Sequence, residues 1–173
     1  MQRDTGFPPE HKAHLNVINR SGEHLVALIN DILEMSKIEA GRVDFTPAAF
    51  DLPAMLNDLE MMFRVRTEAK QLNLKLSCPD LMPRYVVTDE GKLRQVLINL
   101  LGNAVKFTEH GGITLRVSVR RTPEGLLRLS LEVTDTGVGI AVEGQNRLFR
   151  KFEQILQNSH TEGGTGLGLA ICK

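Results

Sequence analysis

No sign of charge predominates in this 173-residue sequence: 21 Lys and Arg balance 21 Asp and Glu. Without a basic excess there is no global electrostatic pull toward nucleic acid or an anionic membrane. Cysteine is scarce, with only Cys78 and Cys172 and no spacing pattern between them. Two isolated thiols exclude a disulfide framework and point to a reducing, cytoplasmic setting. No apolar run approaches the roughly 18 residues of a membrane span, and no signal-peptide pattern is visible. The five His lack metal-ligand spacing and read as solvated surface residues. What is present is ordinary globular composition, 42% hydrophobic and 24% charged. The length suits one domain, or one domain with a helical appendage.

The stretch that organises the rest is residues 92–107. At helical periodicity Leu93, Val96, Leu97, Leu100, Leu101 and Ala104 share one face, with Ile98 and Val105 widening it, so a core helix is predicted. A narrow polar stripe remains: Lys92, Gln95, Asn99, Asn103 and Lys106. A mostly buried helix ordinarily keeps such a strip for solvent. Asn suits that job poorly, because its amide competes with the backbone and lowers helix propensity. Two Asn one turn apart followed by Lys better suit a hydrated cation carrying phosphates. Amide carbonyls are hard oxygen ligands for Mg²⁺, and an ammonium is a mobile point charge for phosphate.

Around that helix the pattern alternates between helices and strands. Residues 1–8 read as a loop. From Pro9 to Ala40, Leu15, Ile18, Leu25, Leu28, Ile32 and Met35 form a coiled-coil-like seam, stopped by Gly41. One helix cannot bury such a seam alone. Residues 43–50 read as an extended linker. Asp51 is the predicted N-cap of a helix to about Lys70, packing Leu52, Met55, Leu56, Leu59, Met62 and Phe63 on a sheet. Strands are predicted at 72–77 and 85–88. Asp89 is the predicted cap of the central helix, which ends before Gly111-Gly112. Residues 113–121 and 126–134 alternate around Thr122-Pro-Glu-Gly125 as a hairpin. Residues 141–163 read as loop, and Thr165 as the start of another helix. Helices with a mostly antiparallel sheet give an α+β sandwich.

Three motifs follow one another: Asn103-Ala-Val-Lys106-Phe107-Thr108, then Asp135-Thr-Gly137-Val-Gly139-Ile140, then Gly164-Thr165-Gly166-Leu167-Gly168-Leu169. A lone glycine-rich stretch is weak evidence, and an Asp before Gly is commonly just a turn. In this order they closely resemble the N, G1 and G2 boxes of sensor histidine kinases, within the ATPase superfamily shared with gyrase, heat-shock chaperone and mismatch-repair ATPases. Arg20 to Arg42 resembles the second helix of the kinase dimerisation and phosphoacceptor hairpin, implying a homodimer through that helix. The first hairpin helix has no counterpart, and His11, His14 and His24 lack the family's acceptor context.

The resemblance implies a two-layer α/β sandwich of Bergerat type over residues 46–173, after a partial hairpin at 1–45. It also implies a C-terminally incomplete fold, because the family's closing hairpin lies beyond the G2 helix. ATP and Mg²⁺ are the implied cofactors. Asn99 and Asn103 would take the metal, with Asn99 and Lys106 positioning the transferred phosphoryl group. Asp135 would accept from the adenine amino group, a contact guanine cannot make. Phe107 would wall the purine, while Gly137, Gly139 and Ile140 line its approach. Phe149 and Phe152 would anchor the ATP lid. Gly164, Thr165, Gly166, Leu167 and Gly168 would present amides to the triphosphate.

Two departures stand out. Arg150-Lys151 replaces the usual Glu-Pro of the lid, and His160-Thr161-Glu162 replaces an Arg-Lys pair before the G2 glycines. Arg147, Arg150 or Lys151 are the candidates to restore that charge. Hydrolytic relatives carry a Glu base where Asn99 stands; an amide accepts no proton at neutral pH, so transfer is favoured over hydrolysis. The implied partners are a phosphoacceptor hairpin and a response-regulator receiver domain, with no nucleic acid and no membrane segment in the chain. The rival readings are a nucleotide-binding or dimerising module without turnover, and a hydrolytic ATPase.

Overall fold

The structure is a computed structural model that describes residues 9–42, 44–151, 153 and 166–172. The chain divides into two compact units, 1–43 and 44–173. The first contains α1 (Pro9–Glu39). Gly41, at φ 64°, ends it as the sequence predicts. The Gly41 amide donates to the Ile38 carbonyl and the Arg42 amide to that of Lys37, at 3.1 and 2.9 Å. That pair of bonds is a Schellman motif, which requires a left-handed residue after the helix. Along the predicted seam Leu15, Ile18, Leu25 and Ile32 are exposed, whereas Met35 is buried.

The second unit is an α+β sandwich. Its elements are β1 (Ala48–Asp51), α2 (Leu52–Ala69), β2 (Asn73–Ser77), β3 (Tyr85–Thr88), α3 (Glu90–Phe107), β4 (Gly112–Arg121), β5 (Leu127–Asp135), α4 (Val142–Gln145) and α5 (Gly168–Ile171). The strands form two sheets, β1-β3 and β2-β4-β5. Three predictions are corrected here. The supposed linker at 43–50 contributes β1, which pairs antiparallel to β3 with Phe50 opposite Val86. A four-residue strand is too short to show alternation; its partner, 38 positions on at Val87 for Ala49, defines it. The strand pairings are mostly antiparallel as expected, the exception being β2, which runs parallel to β4 with Leu74 beside Ile113. The intervening α3 supplies the crossover that a parallel pair needs. The loop predicted at 141–163 contains α4, and α5 starts at Gly168 rather than Thr165.

Helices α2 and α3 cover one face of the β2-β4-β5 sheet. Leu52, Met55, Leu56, Leu59 and Phe63 from α2 meet Leu97, Leu101, Ala104 and Val105 from α3 and Ile113, Leu115 and Val117 from β4. Alternation on β4 aims those three residues at the helices, and cross-strand partners Val133 and Leu131 follow Leu115 and Val117. Met62, predicted for the core, is exposed; Thr67 completes the buried face instead. Met62 lies about 100° around the helix from Phe63, off the buried stripe. The Thr67 hydroxyl donates to the Arg64 carbonyl at 3.0 Å, so its burial leaves no unpaired group.

Caps define both helix starts as predicted. Asp51 Oδ1 accepts from the Ala54 amide and Asp89 Oδ1 from the Lys92 amide, each at 3.0 Å. Asp89 Oδ2 also accepts from the Thr46 amide. Those donors hold the Asp89 carboxyl below its ordinary range, and the Arg84 guanidinium with the Ala54 amide does the same for Asp51. A carboxyl lowered by folding contributes stability that is present above its unfolded value of about 3.9 and is lost as pH falls through the lower folded value. Urea midpoints should therefore fall on acidification below that range, and Asp89→Ala should flatten the fall. An unchanged acid slope in Asp89→Ala would refute this role for the cap.

Candidate functional site

Helix α3 meets both glycine-rich segments, one through Asn99 of the polar stripe and the other through the main chain at its C-terminus. At the mid-helix end, Asn99 Nδ2 donates to the Gly168 carbonyl at 3.0 Å and lies 3.7 Å from Cys172 Sγ. At the other end, α3 closes at Phe107, whose carbonyl lies against Gly137. A Cβ on Gly137 would stand 2.5 Å from that oxygen and 2.8 Å from Asp135 Oδ1. From Asn99 to Phe107 the helix rises about 12 Å, with Asn103 and Lys106 between.

Asp135 reaches this end of the helix through strand alternation. It follows Leu129, Leu131 and Val133 on the helix-facing side of β5 and pairs with Ile113 in register. Being the last residue of the strand, it emerges past the core and is exposed. Its Oδ1 accepts from the Gly137 amide at 2.9 Å, which orients the carboxylate and leaves Oδ2 for a ligand. Next to it Thr136 Oγ1 accepts from the Gly112 amide at 3.0 Å and donates to the His110 carbonyl at 2.9 Å. This hydroxyl ties the Asp-Thr-Gly turn to the α3–β4 loop. Sequence reasoning missed Thr136; the signal was a Thr between Asp and Gly facing Gly111-Gly112.

Lys70 was also missed. Its ammonium donates to the Val105 and Lys106 carbonyls at 2.7 and 3.3 Å, capping the C-terminus of α3. The Lys106 Nζ lies 5.0 Å from the Phe107 ring centroid, and burial pushes its pKa down. A partly desolvated ammonium gains from any anion that replaces its lost water. Asn103 is half-buried, and its amide makes no hydrogen bond among the described residues.

The remaining predicted positions scatter. Gly139, at φ 69°, turns the chain after the Asp-Thr-Gly segment, and Ile140 is exposed while its carbonyl accepts from Gln145 Nε2. Phe149 is exposed. Arg147 and Arg150 both face Glu153, at 2.9 and 3.7 Å, so both arginines are already engaged. Gly166 has φ 70°, and Leu167 is fully buried beside it. Phe152, Gly164 and Thr165 lie outside the described residues. Among those described, no cluster of three His, Cys, Asp or Glu could hold a metal, and no helix is long and apolar enough to cross a membrane.

Comparison with known proteins adds a second line. The family of histidine kinase-, DNA gyrase B- and HSP90-like ATPases matches residues 88–173, and the His Kinase A phospho-acceptor domain matches residues 1–41. In that second stretch His14 is exposed, while the side chains of His11 and His24 lie outside the described residues. The non-motile and phage-resistance protein of Caulobacter vibrioides is 46% identical over 165 residues, 94% of this chain and 19% of that protein. The signal transduction histidine-protein kinase BarA of Escherichia coli is 38% identical over 168 residues, 96% of this chain and 18% of BarA. The chain thus spans about a fifth of these relatives' length. Among solved structures, full-length ShkA in complex with AMPPNP superposes with a TM-score of 0.76 at 34% identity, covering 97% of this chain and 34% of ShkA. The Acinetobacter baumannii histidine kinase AdeS gives 0.72 at 26% identity, covering 98% of this chain and 74% of that one. With both domain families matched one after the other and kinase relatives such as BarA aligned along nearly the whole chain, this chain belongs to the sensor histidine kinases.

Proposed function

We propose that residues 44–173 bind ATP with Mg²⁺, and that the intact protein transfers the γ-phosphoryl group to a His for relay to a response-regulator Asp. The observation that supports this best is that α3, which carries the Asn-Asn-Lys stripe, meets both glycine-rich segments, Gly168 through Asn99 and Gly137 through the Phe107 carbonyl. The residues present fit the group. Asn103 and the Asn99 carbonyl supply hard oxygens for the metal, and Lys106 supplies a desolvated cation for phosphate. Bound Mg²⁺ would neutralise phosphate charge, while Asn99, Asn103 and Lys106 orient the chain of phosphates, positioning being most of phosphoryl-transfer catalysis. Asp135 Oδ2 would accept from an adenine amino group; a guanine oxygen there would face a carboxylate. Asn99 has no proton-accepting group, which disfavours a hydrolytic ATPase.

For partners, the ThkA kinase structure contains its response regulator TrrA and superposes with a TM-score of 0.63 at 25% identity. By analogy we assign a receiver domain and a phosphoacceptor hairpin as partners, and dimerisation through the exposed seam of α1. A nucleotide-binding module without turnover remains the second reading, favoured by lid arginines already engaged with Glu153.

Calorimetric titrations with ATP and GTP, with and without Mg²⁺, test the binding site. Wild type should prefer ATP, and Asp135→Asn should lose about 1–3 kcal/mol of ATP affinity. Asn103→Ala should remove the Mg²⁺-dependent increment. Equal ATP affinity in wild type and Asp135→Asn would overturn the adenine assignment. Retained Mg²⁺ dependence in Asn103→Ala would overturn the metal assignment.

A further inference from the structure

We infer that Cys172 is a positioning residue, one that sets the orientation of the Asn99 side-chain amide and so decides which atom Asn99 offers to a ligand. The inference rests on the nucleotide-site reading above. An Asn side chain has two nearly isosteric ends, one a donor of two hydrogens and the other an acceptor, and only its neighbours distinguish them. Here both neighbours act on the same end. The Gly168 carbonyl, 3.0 Å from Nδ2, can only accept. Cys172 Sγ, 3.7 Å from Nδ2, accepts at the same end.

The thiol is itself held in the role of acceptor. Its own hydrogen has the Gly168 carbonyl as the nearer acceptor, with Sγ 3.1 Å from that oxygen and 4.0 Å from the Val96 oxygen. Gly168, Asn99 and Cys172 therefore close a three-membered ring of hydrogen bonds in which the sulfur both gives and receives. With the Nδ2 end held by these two acceptors, Oδ1 is the end of the Asn99 amide left to a ligand. A flipped amide would set Oδ1 against the Gly168 oxygen and lose both bonds.

Packing reinforces the arrangement. A Cβ at Gly168 would lie 3.5 Å from the Asn99 amide carbon, an ordinary packing distance, so the amide lies beside the Gly168 backbone. Cys172 is half-buried beside the Asn99 amide. Oxygen-only presentation is the requirement for a hard cation, whereas a freely flipping amide would offer donor and acceptor alternately.

Three variants test the role: Cys172→Ala, which removes the sulfur, Cys172→Ser, which keeps a group able both to donate and to accept, and Asn99→Asp, which identifies the Asn99 signals. The readouts are the ratio of ATP affinities with and without Mg²⁺, and the two side-chain amide proton shifts of Asn99. Cys172→Ala should lower the Mg²⁺ ratio about three- to ten-fold, the worth of one hydrogen bond. It should also move one Asn99 amide proton upfield. Cys172→Ser should restore most of both. A Cys172→Ala protein with unchanged ratio and unchanged amide shifts overturns the inference. So does one whose ATP affinity falls equally with and without Mg²⁺, because that is a packing effect. If wild type shows no Mg²⁺-dependent affinity, the nucleotide reading fails, while the amide shifts still decide whether Cys172 orients Asn99.

Discussion

Replacing Gly137 with Ala is expected to reduce ATP affinity at least ten-fold and to destabilise the fold by about 1–3 kcal/mol, the usual cost of overpacking. The cause is contact and not backbone conformation, because Gly137 is not among the residues with positive φ. The new Cβ would stand 2.5 Å from the Phe107 carbonyl oxygen, 3.0 Å from its carbon and 2.8 Å from Asp135 Oδ1. Backbone cannot swing aside as a flexible side chain does. Either the C-terminal turn of α3 moves, taking Lys106 and Phe107 with it, or the Asp-Thr-Gly turn moves and Asp135 loses its bond to the Gly137 amide. Both routes separate the proposed adenine contact from the proposed phosphate contacts. Wild-type ATP affinity in Gly137→Ala, measured by calorimetry, would show that this close approach has no part in binding.

The largest effect on stability is expected for Phe63→Ala, at about 3–5 kcal/mol in urea unfolding. Phe63 is fully buried among α2, α3 and the sheet. The Arg66 guanidinium lies 5.3 Å from its ring centroid, closing the outer side. Removing the ring opens a cavity between helices already held at both ends by their caps, so collapse around it is restricted. Given domain stabilities of about 5–15 kcal/mol, the variant should sit near the edge of folding. Met62→Ala is the control: one position away in sequence but on the exposed side, it should change stability by no more than about 0.5 kcal/mol. Equal losses in the two variants would mean that the α2 face is assigned wrongly.

Local chemistry in the sequence determined a good deal of this. The two Asp N-caps, the Gly41 stop, the span of α3 and the β4–β5 hairpin depend on residues within a few positions of one another. Their signals therefore survive without any tertiary partner. The Asn99, Asn103 and Lys106 stripe was legible for the same reason, since helical periodicity places residues three and four apart on one face. The order of the N, G1 and G2 motifs was equally visible, and with it the kinase family.

Tertiary structure decided what depends on distant partners. Strand β1 exists because β3 pairs with it, and β2 runs parallel to β4 because α3 carries the chain across between them. Periodicity alone put Met62 on the buried α2 face and did not single out Thr67, since the width of the buried stripe is set by what packs against it. Lys70 caps a helix end 35 residues away, Thr136 bridges to the Gly112 amide 24 residues back, and Asn99 bonds Gly168 across 69 positions. No periodicity encodes such separations. A hydrogen bond needs two groups within about 3 Å, and only the folded chain determines which groups, remote in sequence, come that close.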